Sequence, residues 1–293
     1  MVRRHDAGRF FLRVSVVTGG SGGIGRWVAL GLARAGQHVV LVCRDPARGN
    51  AAVEWIARQV PCPSLELRLS DLGSLGAAHR LGAEIAEAHP RLGLLVNNAG
   101  VFTARRQSTT EGLEATLAVN HLAPFVLTDV LEKALKAGAP SRIVNVGSSR
   151  SDRAKIDPDD LELERGWGMV RAYSRSKLAM MMTTFARAER LRGSGVVAHV
   201  VYPGAVASNL VREGGAIGIA WRMMAPFLRP EEQGADTPLH VALAPHWATV
   251  TGAYVKRRAA VRPNPRALDP VLAARVDAAT RVLIEAALAS TRS

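Results

Sequence analysis

The chain has 293 residues and only two cysteines, so it can bury a large core but holds no disulfide or thiolate-metal framework. Its formal net charge is +13, yet only five of the 38 basic residues are Lys. The arginines are scattered, the densest group being Lys256-Arg257-Arg258 with Arg262, which favours a solvated Arg-rich surface over a nucleic-acid site. No run approaches the roughly 18 apolar residues of a membrane span. Arg13 and the glycines beyond it argue against a cleavable signal, so a cytoplasmic location is expected.

In chain order, apolar β-rich runs fall near 14–17, 38–42, 65–69, 92–96, 142–146, 196–201 and 252–255. Helical patterns lie between them near 23–36, 46–59, 73–89, 111–137, 172–193 and 232–244, and a last one spans 268–289. Strands alternating with crossover helices predict an α/β chain: one doubly wound (Rossmann) domain over 1–293, with a seven-stranded parallel sheet and helices on both faces. Its ligand crevice would lie beyond the carboxyl ends of the strands. Segment 150–170 reads as a polar insertion. Segment 209–231 carries Ile217, Ile219, Trp221, Met223, Met224 and Phe227 among glycines and reads as an apolar substrate lid. The Ala-rich C-terminal helix has two readings, a homo-oligomer surface or core packing.

The first strand runs into Thr18-Gly19-Gly20-Ser21-Gly22-Gly23-Ile24-Gly25, which opens a helix. Such a turn brings backbone N–H groups and the helix dipole to a pyrophosphate, although any tight strand-to-helix turn needs glycine. The second strand ends at Cys43-Arg44, where an NAD enzyme usually presents a carboxylate to the ribose. Arg44 would instead pair with a 2′-phosphate through its planar fork of donors, so NADPH is the expected cofactor. Cys43 reads as a small apolar filler. Downstream, Tyr173 stands four residues before Lys177 on a helical pattern, placing a phenol and an ammonium on one face as acid and pKa modifier. A surface pair at that spacing is the bland alternative.

The glycine spacing, Asn97-Asn98-Ala99-Gly100, Gly147-Ser148-Ser149, Tyr173-Ser-Arg-Ser-Lys177 and Tyr202-Pro203-Gly204 together resemble the short-chain dehydrogenase/reductase family, from about residue 14 to 255. Cys43-Arg44-Asp45, Asn120-His121-Leu122 and Ser174-Arg175-Ser176-Lys177-Leu178-Ala179 look most like its retinol-dehydrogenase-type branch. The resemblance implies a catalytic set of Asn120, Ser148, Tyr173 and Lys177. It also implies cofactor contacts from Gly19, Ser21, Gly23, Ile24, Gly25, Arg44, Asp71, Leu72, Asn97, Ala99, Gly100, Tyr173, Lys177, Pro203, Gly204, Val206 and Ser208, and no metal. Within that set Asp71 would bond the adenine amine, with a helix N-cap as its alternative role. Asn97 would face the ribose, Asn120 would distort its helix and hold a relay water, with a satisfied core amide as its alternative role, and Ser208 would bond the carboxamide. His121 is taken as structural. Ser148 rather than Ser149 is the catalytic serine in the register adopted.

The expected activity is an NADPH-dependent reduction of a hydrophobic ketone or aldehyde, reversible with the alcohol; a tailoring ketoreductase of secondary metabolism is one role that fits. The alternatives are an alcohol dehydrogenase, an epimerase or dehydratase of the same family, and a non-catalytic NADPH-binding sensor.

Overall fold

The computed structural model describes residues 12–206 and 228–290. The elements run β1 (Val14–Thr18), α1 (Gly23–Arg34), β2 (His38–Cys43), α2 (Pro46–Ala57), β3 (Leu65–Leu69), α3 (Leu75–Ala88) and β4 (Leu94–Asn97). They continue with α4 (Ala115–Leu117), a π turn (Ala118–Leu122), α5 (Ala123–Ala137), β5 (Ser141–Val146), α6 (Met169–Arg190), β6 (Val196–Tyr202), α7 (Glu231–Leu243), β7 (Ala253–Lys256), β8 (Ala259–Val261) and α8 (Pro270–Ser290).

One sheet in the order β3-β2-β1-β4-β5-β6-β7-β8 carries them all. Its interior strands read as continuous Val and Leu because both faces are covered, and side chains alternate between two cores. Val16, Val40, Val42, Leu95 and Ile143 meet α3 and α5 on one face. Val17, Val39, Leu41, Val96 and Val144 meet α1, α2 and α7 on the other. The strand order reverses between β1 and β4, which opens the crevice at the carboxyl end of β1.

The sheet corrects the expected count of seven. β8 pairs antiparallel with β7, from Tyr254↔Val261 to Lys256↔Ala259. The tight turn between them holds Arg257 and Arg258 at φ 49° and 66°. Such hairpin turns are ordinarily signalled by Asn-Gly or Asp-Gly, and β8 is exposed throughout, so neither turn chemistry nor alternation announces it. The helix expected over 111–137 is also interrupted, since the π turn divides α4 from α5. At the C-terminus, Val276, Thr280, Ile284 and Ala287 turn one face of α8 inward, whereas Val271 and Val282 stay exposed. No described helix is long and apolar enough to cross a membrane.

Candidate active site

A cleft of about 1360 Å³ opens along the carboxyl ends of β1 to β6. At its floor the glycine turn docks on β2, with Gly19 N and Gly20 N donating to Val42 O. Thr18 Oγ1 accepts from Asn98 N and Ala99 N, each at 3.0 Å, and ties this turn to the end of β4. Gly19 sits at φ +69°, a region that strains other residues. At Gly25 a Cβ would collide with Gly19 O and Asn98 Nδ2, so Gly25 seats the helix against the turn rather than lining the cleft. Gly19, Ser21, Gly23 and Ile24 do line it.

The helix that starts here differs from its neighbours in its cap. Asp45 caps α2 and Ser74 caps α3, whereas α1 begins at Gly22 with no side-chain cap and no acid in its first turn. Its first N–H groups therefore face the cleft without a side-chain partner, the arrangement that receives phosphate oxygens.

On the outer side of the turn, Arg44 and Asp71 approach at 3.9 Å, both more than half exposed. A pair this open holds together weakly, leaving Arg44 free to engage an anion. Arg48, which sequence reasoning passed over, lines the same wall from α2, its Nη2 beside Gly22. Its signal was its place in the first turn of the helix that follows Arg44. Asp71 Oδ1 accepts from Gly73 N at 3.0 Å and closes a local turn, while the helix cap belongs to Ser74. Leu72 also lines this end.

Asn97 departs from expectation. It pairs in register with Asn145 at the end of the sheet, where its Nδ2 donates to Asn145 Oδ1 at 2.8 Å and to Thr128 Oγ1 at 3.2 Å. The pleat points it away from the cleft, and Asn98, Ala99 and Gly100 form the lining there. Asn120 is likewise fully buried inside the π turn. Its amide holds both backbone groups of Val101 and donates to Ser176 Oγ at 3.1 Å. The side chain thus ties the loop after β4 to α6 with both of its N–H donors taken, and a π turn withdraws backbone carbonyls from their usual partners. His121 is buried, bonds Thr280 of α8 at 2.8 Å and is pushed down to about 3 by burial.

Ser148, Tyr173 and Lys177 all line the cleft. Ser148 Oγ accepts from Arg150 N at 3.2 Å and caps the 3-10 turn that Ser149 begins, and its proximity to the Tyr173 phenol favours the ionised form. Burial outweighs that and pushes the phenol up to about 12, and the Phe102 ring stands edge-on at 4.9 Å. The Lys177 ammonium donates to Val146 O at 2.9 Å and is pushed down to about 8 by burial. Burial is thus the largest influence on the phenol's acidity. Past β6, Pro203, Gly204 and Val206 line the cleft. Ser208 and residues 209–227 of the expected lid lie outside the described residues.

The far mouth is cationic. Arg150, Arg153, Lys155 and Arg171 line it, and among the described residues none has a carboxylate within ion-pair distance. Asp152, the acid in their midst, is taken by Tyr254 at 2.9 Å and by Lys256. Sequence reasoning treated 150–170 only as an insertion, because only the fold shows that it borders the cleft.

Residues 13–216 match the family described as short chain dehydrogenase. Retinol dehydrogenase 12 of Bos taurus is 36% identical over 268 residues, which span 92% of this chain and 85% of that protein. An uncharacterized protein from Mycobacterium paratuberculosis superposes with TM-score 0.76 at 28% identity, covering 94% of each chain. A short chain dehydrogenase from Burkholderia cenocepacia J2315, solved in complex with NADP, superposes with TM-score 0.66 at 27% identity over 84% of this chain and 95% of that one.

Proposed function

The chain belongs to the short-chain dehydrogenase/reductase family, in its retinol-dehydrogenase-like branch, and is an oxidoreductase of CH–OH and C=O groups; we propose that it is an NADPH-dependent carbonyl reductase. The uncapped start of α1 and the glycine floor fit a dinucleotide, with Gly19, Ser21, Gly23 and Ile24 at the pyrophosphate. Arg44 and Arg48 would hold a 2′-phosphate and Asp71 and Leu72 would flank the adenine. Asn98, Ala99, Gly100, Pro203, Gly204 and Val206 would wall the nicotinamide half. When bound there, the reduced cofactor supplies the hydride. The solved Burkholderia relative in complex with NADP supports this cofactor class.

The observation that carries the reading is that Ser148, Tyr173 and Lys177 line the same cleft as the glycine turn. Ser148 donates to the carbonyl oxygen and polarises it. Tyr173, held protonated by burial, gives its proton to the oxygen as the alkoxide develops; an alkoxide is a far stronger base than a phenolate, so this transfer runs downhill. Lys177 supplies positive charge that stabilises the phenolate left behind. Water at a carbonyl freed by the π turn around Asn120 returns the proton. A phenol kept protonated at neutral pH favours reduction over oxidation.

A panel of apolar ketones and aldehydes, followed by NADPH absorbance, tests the reading. Stoichiometric consumption with alcohol formed is expected. NADPH binding with no turnover of any member would instead favour a sensor, and product without net consumption an epimerase or dehydratase.

A second reading concerns the substrate: Arg150, Arg153, Lys155 and Arg171 favour a carbonyl compound carrying a carboxylate or phosphate away from the reacting carbon. Matched ketones with and without an acid group decide it, a lower KM for the acid supporting the reading and an equal KM removing it.

A further inference from the structure

We propose that His38, Glu66 and His89 form a binding site for a zinc-like divalent cation at the edge of the sheet remote from the cleft. His38 opens β2, Glu66 lies in the adjoining strand β3, and His89 ends α3. The register Val40↔Glu66 puts Glu66 on the same sheet face as Val40 and His38, and Val40 packs in the layer that contains α3. Three elements separated in sequence thus deliver one ligand each to one place.

The geometry suits a metal. His89 Nε2 stands 2.8 Å and His38 Nε2 3.3 Å from the same atom, Glu66 Oε2, and the three ligand atoms lie within 4.8 Å of one another. Tetrahedral bonds of about 2.0–2.1 Å place neighbouring ligand atoms about 3.3 Å apart, so small side-chain shifts admit the ion. The side chains are about one-fifth exposed, which leaves a path for entry and room for solvent ligands. Two imidazoles and one carboxylate oxygen are donors for zinc and its borderline neighbours; calcium and magnesium prefer more oxygen ligands.

Supporting contacts orient the ligands. His38 Nδ1 lies 2.7 Å from Ser64 Oγ, which directs Nε2 toward Glu66. Arg68 Nε bonds Glu66 Oε1 and leaves Oε2 as the metal-facing oxygen. The Arg68 charge opposes a second cation, so the site binds more weakly than a closed Cys-rich one. His38 precedes Cys43 by five strand residues, about 17 Å, so the ion would staple β2, β3 and α3 without touching the reaction.

Tag-free protein, stripped with chelator and dialysed, is titrated with Zn²⁺ by calorimetry and with Co²⁺ by visible absorption. One saturable site per chain with a tetrahedral-type cobalt spectrum is expected, together with a zinc-dependent rise in Tm. His89→Ala and Glu66→Gln should each weaken Zn²⁺ binding by at least about 100-fold and Ser64→Ala by about 10-fold, with circular dichroism confirming the fold. In the unmutated protein, Zn²⁺ should protect His38 and His89 from carbethoxylation read by mass spectrometry, a measurement that survives any folding failure of the variants. No saturable site, no protection of these two residues, or affinity retained in folded His89→Ala would each overturn the proposal and leave a metal-free His–Glu–His hydrogen-bonded cluster.

Discussion

Ser148 and Tyr173 line one cleft, although Ser148 follows the end of β5 by two residues and Tyr173 stands in the second turn of α6. The pair presents two hydroxyls to that cleft, and its consequences can be measured.

Tyr173→Phe keeps the ring against Phe102 but removes the only proton the phenol can give. The carbonyl-reducing kcat should fall by at least about 100-fold, the scale of a lost general acid, with the NADPH Kd nearly unchanged. Substantial turnover in this variant would reassign the acid.

Cofactor choice rests on the two arginines of the outer wall. Arg44→Asp should weaken NADPH by about 10-fold to 100-fold, the loss of one charge-assisted hydrogen bond, and leave NADH unaffected or improved. Arg48→Ala should act in the same direction by a smaller factor. Fluorescence titration with both cofactors reads this, and an unchanged ratio would exclude these arginines from 2′-phosphate recognition.

Lys177 sets a pH limit. Burial lowers its pKa to about 8, so the ammonium is present below that pH and lost above it. Losing the charge removes stabilisation of the phenolate, so the reduction kcat should be level below about pH 8 and decline above. Lys177→Met should be slow at every pH, without that decline. A wild-type profile that stays level well above pH 8 would show that Lys177 does not act through its charge.

His121 predicts acid sensitivity. Its folded-state pKa of about 3 lies below the ordinary 6.5, so the unfolded chain takes up a proton first as pH falls through 6.5. Stability from this group is thus fully present above about pH 6.5 and is lost progressively down to about 3, by up to about 1.4 kcal/mol per pH unit. His121→Gln, which can still bond Thr280, should flatten that slope between about pH 6 and 4 in urea unfolding. An equal slope in both proteins would place the acid sensitivity elsewhere.

What could be read in the sequence was local. Alternation of Val and Leu runs with helical periods set the succession of strands and helices along the chain, because period 2 and period 3.6 are properties of neighbouring residues. The glycines after β1 and the four-residue step from Tyr173 to Lys177 were legible for the same reason. Arg44 followed from its place at the end of β2.

The tertiary structure decided what depends on which way a pleat faces and what lies across from it. Asn97 and Asn98 are adjacent and alike in sequence, yet pairing with Asn145 buries one and leaves the other on the cleft. Asn120 is committed to Val101 and Ser176, contacts that no periodicity encodes. Burial by the residues packed around it has the largest effect on the acidity of Tyr173. The cationic mouth and the His38–Glu66–His89 cluster draw on segments that meet only when strands and helices pack. Local steric and hydrogen-bonding preferences write the elements into the chain, but the electrostatic environment of a side chain is fixed by distant residues, and only folding brings those together.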